Sequence, residues 1–187
     1  MRLFIAVTFD EKTKRRIETV QDQLRKEAAR GKFTLPENLH LTLVFLGETA
    51  EKLLPEIMDA MKKAVSPDGI PYTAFDLVFS KTGFFKRSGK ELWWLGTGEE
   101  NRAGEKRLKE LQAGLSRELT ARNFSIDKRP FTAHITLGRE IINGPWPFET
   151  EKITVSINRL SLMLSEHKPA QGRKNRLVYT EIFGLNL

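Results

Sequence analysis

Apolar residues recur along this chain at two spacings, and each spacing predicts one kind of secondary structure. Runs that are continuous or that alternate with polar residues are typical of strands, whereas apolar positions three or four residues apart are typical of helices. Strands are predicted over residues 3–9, 39–46, 72–80, 84–86, 91–96, 131–137, 152–164 and 177–183. Helices are predicted over residues 11–30, 52–65 and 102–122. This mixture predicts an α+β protein.

Turn-forming residues separate these elements. Asp10 is suited to cap the first helix, and Pro55 fits only the first turn of the second. Breakers at 66–69, 87–90 and 144–147 predict turns, and the second of these predicts a hairpin between its flanking strands. Residues 168–176 carry four cations and no acid, which indicates either a solvated loop or a clamp on a phosphate backbone. These cations are Lys168, Arg173, Lys174 and Arg176.

One four-residue pattern, His-apolar-Thr-apolar, occurs twice within predicted strands. The copies read His40-Leu41-Thr42-Leu43 and His134-Ile135-Thr136-Leu137. Since side chains of a strand alternate between its two faces, each copy places an imidazole and a hydroxyl on one face and two apolar side chains on the other. Two of the chain's three histidines share this pattern.

The elements in front of the two motifs also repeat. A strand and a helix precede each motif strand, and the histidines lie 94 residues apart, about half the chain. An internal duplication is the simplest account of this order. We therefore expect two pseudo-symmetric lobes with antiparallel sheets facing a central cleft, and residues 1–187 forming one bilobal domain.

The paired motifs fit acid–base chemistry on a phosphodiester. A neutral imidazole takes a proton from a nucleophile and a charged imidazole gives one to a leaving oxygen, both near neutral pH. Thr42 and Thr136 stand beside the rings as hydrogen-bond donors to phosphate oxygens. Arg139 adds a permanently charged contact if Gly138 lets the strand bend, because strict alternation would turn Arg139 to the opposite face.

Other chemistries find little support in the sequence. There is no cysteine, no H-E-x-x-H pattern and no carboxylate at ligand spacing beside either motif, so we expect no metal and no other cofactor. The phosphate-binding loop G-x-x-x-x-G-K-[ST] and the nucleophile elbow G-x-S-x-G are both absent. His167 lies outside the repeat and receives no role.

The net charge and the hydropathy pattern indicate which class of partner and which cellular location to expect. The formal net charge is +7, which favours an anionic partner such as nucleic acid. No apolar run is long enough to cross a membrane, so we expect a cytoplasmic protein, and a monomer because no separate dimerisation element is visible. Five aromatic residues are candidates for stacking on bases: Phe84, Phe85, Trp93, Trp94 and Trp146. Most of them are expected in the core, and Trp146 is the best candidate for exposure.

The chain resembles the 2H phosphoesterases and, more closely, the bacterial and archaeal RNA 2′,3′-cyclic phosphodiesterases, historically called 2′-5′ RNA ligases. The resemblance covers nearly the whole chain: residues 2–6, both motifs with their flanks at 40–47 and 129–139, and the strand at 92–96. Ala133 departs from the family, where a proline often precedes the second histidine, in a way that should not affect the chemistry.

The resemblance implies metal-independent opening of a terminal 2′,3′-cyclic phosphate of RNA, such as tRNA fragments, to a 2′-phosphomonoester. It makes His40 the proton donor to the leaving 3′-oxygen and His134 the proton acceptor that activates water, although the residues alone leave these two roles exchangeable. Thr42, Thr136 and Arg139 would hold the phosphate. The reverse reaction would join a 5′-hydroxyl to a 2′-phosphate end.

Two alternatives remain open at this point. The substrate could be a small cyclic nucleotide or ADP-ribose cyclic phosphate instead of RNA, in which case turnover would not rise with oligonucleotide length. The cleft could also bind RNA ends without catalysis, although binding alone does not require two titratable groups.

Overall fold

The computed structural model describes residues 1–66, 72–98, 101–170 and 173–187. Within these ranges the chain forms three α-helices and nine strands. The helices are α1 (Glu11–Glu27), α2 (Leu54–Val65) and α3 (Arg102–Ala121). The strands are β1 (Arg2–Thr8), β2 (Arg30–Phe33), β3 (His40–Glu48), β4 (Phe75–Arg87), β5 (Lys90–Thr97), β6 (His134–Ile142), β7 (Glu149–Ile157), β8 (Arg159–Ala170) and β9 (Arg173–Asn186).

The sheet has a mirrored order about its centre. The strand order is β7-β4-β5-β6-β3-β1-β8-β9, and β2 pairs with β6 outside this order. The two motif strands, β6 and β3, are central neighbours, and every pairing in the sheet is antiparallel. The α+β class and the pseudo-symmetric halves predicted from the duplication are confirmed. The two halves are joined within one continuous sheet, because β3 and β6 pair directly.

The two faces of the sheet carry different residues. One face packs against the helices and buries the main core, which includes Leu41, Ile135 and Trp93, all fully buried. The other face holds a separate small cluster of Phe4, Ala6 and Met163 with Tyr179 against it. Since a strand alternates sides, the residues between buried core positions of the motif strands point towards this second face.

Local signals in the sequence fix several element ends. The Asp10 side chain accepts a hydrogen bond from the Thr13 amide at 2.7 Å and caps α1 as predicted. Pro55 lies in the first turn of α2, where its missing amide hydrogen costs nothing. Ser88 and Gly89 both have positive φ, which suits a tight hairpin turn between β4 and β5.

Some predicted boundaries are wrong. Residues 72–80 and 84–86 were expected as separate strands, but β4 runs unbroken from Phe75 to Arg87, with a register shift between Phe79 and Lys81 absorbing the irregular pattern. The expected strand 152–164 is two strands that separate at Asn158. Residues 131–133 precede β6, which starts at His134.

Two other differences concern short or polar segments. The strand β2 was not predicted, because its four residues are largely exposed and form a strand only by pairing with β6. The segment 168–176 is mostly the hairpin of β8 and β9, so the predicted loop is wrong for its described residues. Residues 67–69 of the predicted turn lie outside the described residues.

Candidate active site

Both motifs lie at the centre of the sheet, on the same face. Leu41 of β3 pairs directly with Ile135 of β6, and both side chains are buried on the core side. The residues on either side of this pair therefore project from the other face. The antiparallel direction of the strands turns His40 towards Thr136 and Thr42 towards His134.

Each histidine is anchored through Nδ1 by the carbonyl two residues before it. Nδ1 of His40 lies 2.7 Å from the Asn38 oxygen, and Nδ1 of His134 lies 2.8 Å from the Thr132 oxygen. A carbonyl only accepts hydrogen bonds, so both neutral rings carry their proton on Nδ1 and present a lone pair at Nε2. The repeated motif thus yields a repeated ring orientation and tautomer.

The two Nε2 atoms have different surroundings. Thr42 donates its hydroxyl hydrogen to Nε2 of neutral His40 across 2.8 Å. Nε2 of His134 receives no hydrogen bond from the described residues, and its Nδ1 bond lies in an exposed setting. The pseudo-symmetric pair therefore offers one shielded and one open imidazole nitrogen.

Aromatic rings enclose His40. The Phe4 ring centroid lies 4.9 Å from the His40 centroid, and Tyr179 meets His40 edge-on at 5.2 Å. Burial therefore lowers the pKa of His40 to about 4; the hydrogen bond to Asn38 opposes this shift, while the charges of Arg139 and His134 add to it. His40, Arg139 and His134 thus share one electrostatic neighbourhood, and the free protein holds His40 neutral at pH 7.

The low pKa of His40 predicts a loss of stability in acid. The unfolded chain protonates His40 below about pH 6.5, while the folded chain does so only near pH 4. The free energy of unfolding should therefore fall by roughly 3 kcal/mol from this residue alone as the pH drops through that window. Chemical denaturation between pH 7 and pH 4 measures the fall.

The matched variants for this measurement are H40Q and H167Q. H40Q should remove this part of the fall, whereas H167Q, at an exposed position on β8, should keep it. An equal fall in H40Q and the unmodified protein would contradict the shift.

A β-bulge follows the Thr of each motif. Trp94 pairs with Thr136 and Trp93 with Gly138, which leaves Leu137 as an extra residue in β6. In β3 the extra residue is Leu43, between the pairs Ala6–Thr42 and Ile5–Val44. One added residue reverses the alternation, so the fifth residue after each histidine returns to the motif face.

The residues that the bulges bring to this face are Arg139 in β6 and Phe45 in β3, and both are exposed. The expected bend at Gly138 is therefore present, as a bulge at Leu137–Gly138. Within the described part of the chain, Arg139 forms no ion pair or side-chain hydrogen bond, so its guanidinium is available. Phe45 instead lies under Arg2, whose guanidinium carbon is 5.2 Å from the ring centroid.

Glu140 braces the backbone next to Arg139. Its φ of 54° is in the left-handed region, which is unfavourable for a residue other than glycine. Its carboxylate binds Lys32 of β2 at 2.7 Å and Lys90 of β5 at 3.2 Å. These contacts tie β6 to both of its neighbours where Arg139 leaves the strand.

Sequence reasoning missed three residues around His40: Asn38, Phe4 and Tyr179. Asn38 is buried, and its side-chain amide donates to the Leu177 carbonyl at 2.9 Å. This bond ties the anchor of His40 to β9, which carries Tyr179. Alternation within β1 and β9 marks Phe4 and Tyr179 as candidates for one face, but only the strand pairing shows which face.

The other candidate groups lie apart from the motifs. His167 is exposed on β8, without a contact to either motif histidine. Lys168 pairs with Glu166 at 3.7 Å and Arg176 pairs with Glu37, so carboxylates outside the 168–176 segment offset these two charges. Trp146 is 88% exposed as predicted, but its neighbour Gly144 packs by Trp93, on the core side of the sheet.

Two features are absent from the described ranges. No helix there combines the length and apolar character needed to cross a bilayer. No group of three or more histidine and carboxylate side chains there is arranged to hold a metal ion. Whether the reaction needs a metal stays a prediction, which chelation tests.

Comparison with known proteins agrees with this geometry. The family model of the 2′-5′ RNA ligase superfamily matches residues 9–169. The RNA 2′,3′-cyclic phosphodiesterase of Thermotoga maritima is 34% identical over 140 residues, covering 74% of this chain and 70% of the relative. The protein of the same name from Thermus thermophilus is 34% identical over 163 residues, covering 80% and 78%.

Solved structures extend the similarity to the whole fold. A crystal structure of a Thermus thermophilus protein superposes with a TM-score of 0.75 at 29% identity, covering 100% of this chain and 98% of that one. Escherichia coli LigT in its apo form has a TM-score of 0.79 at 22% identity, covering 100% and 96%, which supports the fold alone. The motifs, the mirrored sheet and these matches together show that the chain belongs to the 2′-5′ RNA ligase superfamily, the 2H phosphoesterases.

Proposed function

We propose that this protein is an RNA 2′,3′-cyclic phosphodiesterase that opens a terminal 2′,3′-cyclic phosphate to a 2′-phosphomonoester by paired-histidine catalysis without a metal. The observation that carries the proposal is the placement of two Nδ1-anchored imidazoles on one face of the sheet, within electrostatic reach of each other and of Arg139. The curated relatives named RNA 2′,3′-cyclic phosphodiesterase support the reaction class.

In the proposed mechanism His134 acts as the base. Its Nε2 lone pair has no partner among the described residues, so it is free to take a proton from water as the water oxygen attacks phosphorus. The bond between phosphorus and the 3′-oxygen breaks, and His40 gives its Nε2 proton to that oxygen. The products are a 2′-phosphomonoester and a 3′-hydroxyl, and the histidines exchange protons with solvent before the next cycle.

His40 must be protonated for this role, although it is neutral in the free protein. An anionic phosphate beside the ring favours the imidazolium and raises the pKa of His40 from its value of about 4. Substrate binding thus draws a proton onto the donor. Thr42 then accepts from the charged ring or turns its hydroxyl to the phosphate, and Thr136 and Arg139 hold the non-bridging oxygens.

The test is hydrolysis of an oligoribonucleotide that ends in a 2′,3′-cyclic phosphate, in buffer containing EDTA. We expect full activity in EDTA and a product with a 2′-phosphate end, because the side chains supply both proton transfers and the charge on the phosphate oxygens. Product ends are identified by ³¹P NMR. Loss of activity on chelation that added metal restores would contradict metal independence, and a 3′-phosphate product would contradict the leaving-group assignment.

The reverse reaction, the oligomeric state, the cellular location and the substrate preference stay predictions. A 5′-hydroxyl in place of water would give the reverse, 2′-5′ ligation, which the same assay detects with a 5′-hydroxyl oligonucleotide. The monomeric state, the cytoplasmic location and the choice of RNA over small cyclic nucleotides are likewise predicted. Activity that does not rise with oligonucleotide length would favour the small-nucleotide alternative.

A further inference from the structure

We infer that Phe85 and Trp94 form the subsite for the nucleobase of the terminal nucleotide, beside His134. This inference rests on the proposed function and names the part of the substrate, besides the phosphate, that the site contacts. The occupant is a planar aromatic base attached to the ribose that carries the cyclic phosphate.

Phe85 is an open aromatic ring next to one catalytic candidate. It projects from β4, is 45% exposed, and meets the His134 ring at 87° with centroids 5.7 Å apart. Phe85 pairs with Leu92 of β5, two residues from Trp94, and strand alternation therefore puts Phe85 and Trp94 on the same face. A ring that is half exposed beside His134 is free to stack on one more planar group.

The indole of Trp94 lies next to Phe85 and enlarges the aromatic surface. It pairs with Thr136, and its indole lies over two glycines, because a Cβ on Gly83 would come within 2.3 Å of the ring and one on Gly96 within 2.7 Å. The Phe85 and Trp94 centroids are 5.7 Å apart with their planes tilted by 38°. The two rings therefore form a shallow aromatic corner beside His134 and Thr136.

The Trp94 indole has one polar atom without a partner among the described residues. Its Nε1 is buried and has no hydrogen-bond partner among the described residues. A buried donor left without a partner is unfavourable, and a smaller apolar side chain would avoid that cost. Trp94 is half-buried, so part of its ring surface is accessible, and such a surface stacks on any base.

The aromatic residues near His40 do not offer an equivalent surface. Phe4 is only 3% exposed, and the Tyr179 ring meets both Phe4 and His40 edge-on. Phe45 is exposed, but Arg2 lies over its ring. The base therefore lies on the His134 side, and a subsite that stacks without hydrogen-bonding the base edge accepts all four bases.

The experiment measures binding of a dinucleotide that ends in a 2′-phosphate, and of the same ligand lacking the terminal base, by calorimetry. Stacking contributes roughly 1–3 kcal/mol per base, so F85L should weaken binding of the intact ligand about tenfold or more. The abasic ligand has no ring to stack, and F85L should weaken its binding far less. The control W146L changes an aromatic residue that is 88% exposed and makes no ring contact with His134, Phe85 or Trp94 in the described structure, and it should leave both affinities unchanged.

Two outcomes would overturn the inference. Equal losses for the intact and abasic ligands in F85L would mean that Phe85 only supports His134. A base-dependent loss in F45L and none in F85L would place the base on the His40 side. Because binding needs no turnover, an unmodified protein that binds with base dependence but fails to hydrolyse cyclic phosphates would defeat the proposed function and leave the base subsite standing.

Discussion

Replacing either His40 or His134 with alanine is expected to lower kcat on cyclic-phosphate RNA by roughly three orders of magnitude. General acid or base catalysis by one positioned group contributes roughly 10²–10⁴-fold. In the proposed mechanism the two rings act on one phosphorus atom in one step, so the double variant should be little slower than either single variant. Single-turnover rates with end-labelled oligonucleotide measure all three.

A substrate that needs no acid separates the two roles. In a 3′-deoxynucleoside 2′-(4-nitrophenyl phosphate), nitrophenolate leaves without a proton, while water still requires a base. H40A should therefore recover much of its lost rate on this substrate, and H134A should not. Recovery in H134A instead would exchange the two assignments.

His167 provides the control for both variants. It is the third histidine, exposed on β8, and H167A should keep the unmodified rate. Unchanged turnover in both H40A and H134A would remove the basis of the proposed mechanism.

Loss of the Arg139 guanidinium is expected to have the second large effect on catalysis. We expect R139Q to lower kcat/KM by about a hundredfold, because one charged donor to the developing phosphate charge contributes on that scale. R139K should be intermediate, since an ammonium keeps the charge but lacks the planar pair of donors. The control R129Q changes an exposed arginine that is paired with Asp127 and should have little effect.

R139Q should also change the pKa of His40. The Arg139 charge lowers the pKa of His40, so R139Q should raise the pKa of His40 from its value of about 4. NMR titration of the His40 ring in the free protein measures the change. A variant with normal kcat/KM and an unmoved His40 pKa would show that Arg139 does not belong to the site.

The local pattern was sufficient to predict the residues of the motif face. Period-two alternation places His40 with Thr42 and His134 with Thr136, and the glycine before Arg139 marks the bend that the bulge supplies. These predictions succeed because they depend on neighbours along one strand. Helix α1 was predictable for the same reason, from Asp10 and the apolar spacing that follows it.

Features that depend on strand order were not predictable. Trp93 and Trp94 are adjacent, and only the pairing with β6 shows that Trp93 is in the core and Trp94 lies beside Thr136. The low pKa of His40 depends on enclosure by β1 and β9, and β9 begins more than 130 residues after His40 in the sequence. Charge pairing likewise crosses the chain, as between Arg176 and Glu37.

The matched bulges have a consequence for regiochemistry. They bring one residue from each half to equivalent places on the face, and these residues are a cation, Arg139, and an apolar ring, Phe45. A cyclic phosphate in a truly two-fold site could turn over and release either ester oxygen, giving a mixture of isomers. In the proposed mechanism Arg139 draws the anion to one half. Together with the unequal surroundings of His40 and His134, this mismatch would allow a duplicated scaffold to tell two chemically similar oxygens apart.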